Sequence, residues 1–312
     1  MAHLTPHAHE LLARQHGDAS VEQLLATGLS LREIRHLQRS GDLELVLRGA
    51  YRTPSAPITE SSRSAAVCLA RPDVAIAGPT AGRLWGLRRI PSDRRIHVIA
   101  PRASQPAAVR WVVPYRTDAC HEHDIVVRDD GIKITSRART AFDLSRWLQP
   151  DDLLSVVEQV IRDGRLSDGD LLAVAVDWLS PQRPWVRRFL QALDRRLPGG
   201  PAESHPEVRV ADALHNAGVR HLVRQHHIEL PGYGAARFDL AVPDLRWAIE
   251  VDLHPVHGES AGSASDDRRD RAAATIGWIT TRIDEHDYRH RFNERIAEVA
   301  AIQSDLQLAT AS

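Results

Sequence analysis

The stretch RFDLAVPDLRWAIEVD, residues 237–252, limits the fold more than any other part of the chain. Apolar and polar residues alternate on either side of Pro243, Asp244 and Leu245, the pattern of two strands joined by a short turn. Side chains i and i+2 of a strand share a face. Glu250 and Asp252 therefore point one way, and Ile249 and Val251 the other. On the preceding strand Phe238 and Leu240 oppose Asp239. Pairing across the turn would set Asp239 beside Glu250 or Asp252. Carboxylates that close repel and raise one another's pKa. A divalent cation removes the conflict, and Mg²⁺ favours one or two carboxylates completed by water and phosphate oxygens. With His257 just beyond, the stretch reads either as a metal site or as the polar face of a sheet in water.

The flanking sequence extends this unit. Residues 203–218, ESHPEVRVADALHNAG, carry Val208, Ala211, Leu214 and Ala217 at helical spacing, and Gly218 is a stop signal. HLVRQHHIEL at 221–230 is strand-like and PGYG is a turn. The unit thus opens with a helix and continues as a short antiparallel meander. LPGGPA at 197–202 reads as the linker before it.

At the other end, Ser20 with Gln23 and Ser30 with Glu33 each match a capping box, predicting short helices that start near residues 20 and 30. Gly28 occupies the turn between them and Gly41 ends the second. Leu24, Leu25, Leu29, Ile34 and Leu37 give one apolar face. Leu43, Leu45 and Leu47 then alternate as in a strand. Helix, turn, helix and β-wing form the winged helix-turn-helix plan, whose second helix enters the DNA major groove. Its outward side chains here are Arg32, Arg35, His36 and Arg39, with Arg48 and Arg52 on the wing near phosphates. A helical hairpin with a solvated arginine face is the competing reading.

Between these ends lies a Pro/Ser-rich connector at 54–64, then short strands at 74–78 and 94–102, a helix at 79–87, and a strand followed by a helix-rich run broken at Pro150. HEHD at 121–124 groups two histidines with two acids, and on a strand His121 and His123 would share a face. A polar loop or edge strand is the reading preferred for it.

Composition narrows the classes. The 312 residues, 43% hydrophobic and 26% charged, suffice for two or three globular domains. A net charge of -1 argues neither for nor against nucleic acid. Lys133 is the one lysine, so the positive charge is arginine, whose planar fork suits phosphates and guanine edges. Two cysteines make neither a disulfide framework nor a zinc motif. The first residues lack an apolar signal region, and no apolar run nears the ~20 residues of a membrane span. The expectation is a soluble cytoplasmic protein.

Two resemblances add to this. RGAYR after a helix-turn-helix, then AGRLWGL, IHVIAPR and KITSRARTAFDLSR, resembles the antitoxin-type transcriptional regulators of the abortive-infection toxin–antitoxin group, common in actinobacteria. The likeness covers about the first 180 residues and is strongest at TSRARTAFDL, 135–144. It implies that the winged helix binds operator DNA and that the next domain contacts protein or DNA. Glu203–Ser204, RFDLA, AIEVDLHPVH and DDRRDRAAATIGWITTR (266–282) are similar, in that order, to the restriction-endonuclease-like superfamily, in its branch related to very-short-patch-repair endonucleases. That likeness covers roughly residues 200–300. It implies that Asp239, Glu250 and Asp252 ligate a metal or hold its waters, and that Glu203 reaches in from the helix. It also gives His257 the proton-transfer role and lets Arg269 and Arg271 contact phosphate. The chain departs from the pattern where Leu253 replaces the usual glycine and Pro255 precedes the histidine. His254 competes with His257, and the unit has no lysine.

The expected fold class is α+β: a winged helix-turn-helix over 1–55, an antitoxin-like α/β middle domain over 65–195, and a restriction-endonuclease-like α/β core over 200–308. The expected function is a Mg²⁺- or Mn²⁺-dependent endonuclease hydrolysing DNA phosphodiesters. The alternative is a non-cleaving regulator or antitoxin whose nuclease-like domain has lost activity. A third reading is an antitoxin that masks a toxin protein. The partners implied are double-stranded DNA and a toxin protein or a second copy of the chain, with no membrane.

Overall fold

A computed structural model describes residues 3–104, 109–176, 178, 184–253 and 260–311, the side chains of 260–266 and 310–311 excepted. The fold is mixed α+β, and the chain divides into two compact units, residues 1–148 with 167–189, and residues 149–166 with 190–312. The elements in chain order are α1 (Pro6–Arg14), β1 (Asp18–Ser20), α2 (Val21–Ala26), α3 (Leu31–Ser40), β2 (Glu44–Leu47), β3 (Ala50–Arg52), α4 (Glu60–Ala70), β4 (Ala75–Ile76), α5 (Gly78–Leu84), β5 (Ile96–Ala100), β6 (Val112–Arg116), β7 (Ile125–Val127), β8 (Lys133–Thr135), α6 (Arg137–Leu144), α7 (Pro150–Gly164), α8 (Asp168–Val176), α9 (Pro184–Asp194), α10 (His205–Asn216), β9 (Val223–Leu230), β10 (Gly234–Val242), β11 (Trp247–Asp252), α11 (Ser260–Thr275), β12 (Ile279–Asp284), α12 (Glu285–His290) and α13 (Phe292–Ala311).

In the first unit, α1 to β3 form the winged plan. Both capping boxes are closed. Ser20 and Ser30 accept from the backbone N–H of Gln23 and Glu33, whose side chains accept from the serine N–H groups in return. Gly41 then stops α3 in the left-handed region, at φ 85°, which glycine adopts without strain. Leu24, Leu29, Ile34, Leu37 and Leu43 are buried together with Ala8 and Leu12 of α1. Leu25, expected on the same face, is instead exposed. Leu45 is exposed too, because the β2–β3 register shifts between Leu45 and Leu47. A shift of that kind inserts one residue and turns the next side chain to the other face.

β1, β3 and β2 make a three-stranded antiparallel sheet. At its centre the Arg52 guanidinium donates to both carboxylate oxygens of Asp18, at 2.9 and 2.8 Å, and both side chains are buried. Arg52 is therefore not a phosphate contact on the wing. It is held inside the sheet by a partner 34 residues away. Residues 60–64, expected within a connector, already belong to α4, where Ser62, Ser64, Ala65, Ala66 and Val67 are buried. Beyond α4 a five-stranded sheet runs in the order β6-β5-β4-β8-β7. The HEHD segment forms a 3₁₀ turn at Glu122–Asp124 in which the two histidine rings stack at 5.3 Å. Cys68 and Cys120 are both free thiols.

The second unit is built on a four-stranded sheet, β12-β11-β10-β9, antiparallel except between β11 and β12. A parallel pair needs a crossover, and α11 supplies it. Trp247 and Ile249 of β11, Leu240 and Val242 of β10, Val210 and Leu214 of α10 and Val299 of α13 share one core. The Trp247 indole N–H is satisfied by Thr281 Oγ1 at 2.9 Å. The LPGGPA segment is not a loose linker. Arg224 donates its backbone N–H to Pro198 O at 2.9 Å, and its side chain to Leu197 O at 3.0 Å. The same guanidinium meets the buried carboxylate of Glu158 on α7 at 2.6 Å, as Arg196 does at 2.9 Å.

The buried Asp18–Arg52 pair generates the first prediction. Removing one partner of a buried ion pair strands the other and costs ~3–5 kcal/mol. Arg52→Ala should lower the midpoint of thermal unfolding by several degrees, followed by circular dichroism. An unchanged midpoint would show that the pair is dispensable.

Candidate functional site

The β10–β11 ladder ends with Leu240 paired to Ile249, and Asp239 and Glu250 are the next residues on the two strands, close enough for their carboxyl groups to interact. Asp239 is fixed by the Val251 backbone, whose N–H donates to Asp239 Oδ2 at 3.0 Å. A hydrogen bond between the two carboxyl groups favours the charge on Asp239 and the proton on Glu250. Burial and then the neighbouring Asp239 charge push Glu250 up to about 8. Burial raises Asp239 as well. Glu250 Oε1 is buried and accepts no hydrogen bond, although the Arg269 guanidinium of α11 stands 3.3 Å away.

A third acid approaches from α10, and it is not Glu203. Glu203 lies before the helix, half-exposed, with its carboxylate 2.8 Å from Arg237. Glu207, one turn on, is buried. It accepts from the Glu203 backbone N–H at 3.0 Å and from Gln225 Nε2 at 2.8 Å. Burial raises its pKa, and the Asp239 charge adds to the effect. The signal for it lay in the sequence: Ser204-x-x-Glu207 has helix-start spacing, and Ser204 is the N-cap. Arg282 was also missed. It is registered against Glu250 on β12, and its guanidinium lies 2.6 Å from Asp270.

Asp252 takes a different place. It is exposed at the end of β11, in register with Asp284 of β12. Among the described residues no three His, Cys, Asp or Glu side chains are grouped so as to hold a metal ion. The cluster expected from Asp239, Glu250 and Asp252 together thus reduces to the Asp239–Glu250 pair, with Glu207 behind it. His257, His254 and Pro255 lie outside the described residues. Arg269 faces the pair, whereas Arg271 is exposed on α11.

Chemically, the pair suits a hard cation. Two carboxylates in one buried place carry an electrostatic conflict that a divalent ion would relieve. Two protein oxygens suffice for Mg²⁺, which keeps several waters. Arg237, Arg269 and Arg282 bring positive charge to the same place, where a phosphate could be met.

On the winged part, Arg32, Arg35 and Arg39 are exposed along α3, and His36 is half-buried. Arg48 is exposed at the β2–β3 turn. With Arg52 withdrawn, five of the six expected DNA contacts have surface to offer.

The N-terminal segment is thus a winged helix of the kind that presents its second helix outward. Residues 9–54 match the family model described as "Transcriptional regulator, AbiEi antitoxin". No curated protein matches the chain. Among solved structures, the crystal structure of RV2827C protein from Mycobacterium tuberculosis is similar over 62% of this chain and 78% of that one, at 19% identity and a TM-score of 0.38. Among the described residues no helix is long and apolar enough to cross a membrane.

The carboxylate pair makes stability depend on pH. Folding raises Glu250 above its ordinary value of 4.5, so the proton favours the folded chain. That contribution is fully present below about pH 4.5 and is lost as pH rises through about 8. A glutamine keeps the hydrogen bond to Asp239 without the charge. Glu250→Gln should therefore leave the melting temperature nearly unchanged at low pH. Above pH 8, without divalent cations, it should raise the temperature by several degrees, reflecting ~1–3 kcal/mol. An equal difference at both pH values would show that Glu250 does not titrate in this range.

Proposed function

We propose that the protein is a DNA-binding regulator of the antitoxin type, with three functional segments over 1–55, 65–195 and 200–308. The observation that carries this reading is the exposed Arg32, Arg35 and Arg39 face of α3 within the segment that matches the regulator family. In this reading α3 enters the major groove, its arginines meet guanine edges or phosphates, and Arg48 steadies the wing on the backbone. A homodimer on a two-fold operator or a toxin protein is the accompanying partner.

The reading is tested by selecting duplexes from a random library, then titrating the enriched site at several stated salt concentrations. Arg35→Ala should weaken binding about tenfold or more and, if it meets a phosphate, lower the salt slope by about one. Failure to retain any duplex at about 50 mM salt sinks the reading.

A second reading belongs to the C-terminal unit, where the Asp239–Glu250 pair favours a metal-dependent endonuclease. The element order α10, β9, β10, β11, α11, β12 supports a restriction-endonuclease-like core, and the ordered likeness to very-short-patch-repair enzymes points the same way. Asp239 and Glu250 would hold Mg²⁺ or Mn²⁺ through their carboxylate oxygens, with waters completing the coordination. The ion, when bound, supplies an acidified water and positive charge for the phosphate undergoing hydrolysis. Val251 N–H orients Asp239, Gln225 holds Glu207 in place behind it, and Arg269 balances the carboxylate charge. Arg271 contacts phosphate from its exposed position on α11.

Supercoiled, linear and single-stranded DNA incubated with Mg²⁺ or Mn²⁺ provides the assay. Cleavage should fall at least about a hundredfold in Asp239→Ala and Glu250→Ala, the scale of losing an electrostatic catalytic group. Cleavage that persists in both variants marks a contaminant. Specific duplex binding without cleavage by the wild type leaves the regulator reading alone.

A further inference from the structure

The first unit encloses a cavity of about 210 Å³ whose walls are aromatic and cationic. Trp147, Trp178 and Trp185 line it with Tyr115. Guanidinium groups sit over these rings: the Cζ of Arg146 is 4.5 Å from the centroid of Trp185 and 5.6 Å from that of Tyr115, and that of Arg139 is 4.6 Å from that of Trp178. The layout depends on Gly78, whose φ is 52° and where a Cβ would come within 3.0 Å of the Trp147 ring.

Arg139 is completely buried. Its Nη1 donates to Asp124 Oδ2 at 2.7 Å and to Ala119 O at 3.1 Å, and its Nε to Asp143 Oδ1 at 3.2 Å. Its Nη2 is buried with no acceptor among the described residues, and the same holds for the Trp185 indole nitrogen. Both groups are donors, so what completes them must bring acceptors. Arg102 and Arg116 also line the cavity, against the single acid Asp143, so the preferred occupant is negative. The flat rings and guanidinium planes favour a planar π system. At this volume the cavity is below the usual ~300–1,000 Å³ of drug-sized sites, which limits what it encloses to no more than part of a single nucleotide, its base with the phosphate at the rim.

We propose that this cavity binds a nucleotide, with the base stacked among Trp147, Trp178 and Trp185 and the phosphate met by Arg146 and the free donor of Arg139. The site is separate from the Asp239–Glu250 pair and does not depend on the function assigned to it. The nucleotide comes either free, as a small-molecule signal, or as one exposed residue of a nucleic-acid strand. Base–aromatic stacking and charge-assisted bonds to phosphate serve both sources.

Three of the chain's seven tryptophans line the cavity, so their fluorescence reports occupancy. The full-length protein is titrated with each ribo- and deoxyribonucleoside 5′-monophosphate, with the uncharged nucleosides, with inorganic phosphate and with a short single-stranded oligonucleotide. Isothermal titration calorimetry runs in parallel. At least one monophosphate or the oligonucleotide should saturate the signal. Nucleoside and phosphate alone should each bind at least about tenfold more weakly, because each makes only part of the contacts.

Arg146→Ala and Trp185→Ala should each weaken the preferred probe by about tenfold or more. Trp185→Phe keeps the ring and removes only the indole donor, so it serves where the alanine variant fails to fold, and it should weaken binding to a smaller degree. Saturation by the oligonucleotide alone assigns the site to a strand, and saturation by a monophosphate assigns it to a free nucleotide. The proposal is overturned if no probe saturates at millimolar concentration, or if phosphate alone binds as tightly as any nucleotide. It is equally overturned if affinity is unchanged in Arg146→Ala and in the folded Trp185 variants.

Discussion

Two carboxyl groups, the half-buried Asp239 and the buried Glu250, meet across neighbouring antiparallel strands. A fold selected for stability alone has little reason to keep such a pair, since an apolar pair of similar size would be as stable or more so. Keeping it demands support, and the second unit supplies it. Val251 anchors Asp239 through the backbone, and α10 brings the buried Glu207, itself tied to Gln225. α11 brings Arg269, and β12 places Arg282 in register with Glu250. Each neighbouring element contributes a polar group to one place on a sheet whose other face is apolar. The crossover through α11 makes this possible, because it returns the chain to pair β12 in parallel beside β11.

Much of this was legible in the sequence, and the limits have physical causes. Strand alternation and the short PDL turn set Asp239 beside Glu250 or Asp252, because a hairpin fixes its own register, but choosing between the two acids took the register itself. The two capping boxes were legible because each lies within four residues. The inward turn of Arg52 was not, since its partner Asp18 is distant in sequence and local pattern cannot separate a wing arginine from a buried one. The exposure of Leu45 follows from a register shift, which strict alternation cannot anticipate. The substitution of Glu207 for Glu203 turned on a single helical turn: the motif supplied an acid at the helix start, but the cap at Ser204 decides which acid points inward. Asp252 shares a strand face with Glu250 in principle, yet β11 ends there and leaves it in solvent.

The first unit joins two kinds of surface. Its winged part presents arginines along α3, and the Asp18–Arg52 pair ties together the outer strand and the middle strand of the small sheet behind it. Next to its larger sheet, helix α6 carries a buried arginine, Arg139, surrounded by Asp124, Asp143 and Trp178. The segment strongest in its likeness to antitoxin regulators, TSRARTAFDL, contains both Arg139 and Asp143. In this chain its polar residues thus build an interior network beside a cavity, not an exposed contact surface.

The cation site proposed at the Asp239–Glu250 pair is tested by direct Mn²⁺ binding, without relying on any activity. Electron paramagnetic resonance of free Mn²⁺ titrated into metal-free protein near pH 8, where Glu250 is losing its proton, counts bound ions. The expected result is one saturable ion per chain, displaced by Mg²⁺, weakened on acidification, and lost when Asp239 and Glu250 are both replaced by their amides. Equal Mn²⁺ binding by the wild type and the doubly amidated protein, or none by the wild type, would contradict it.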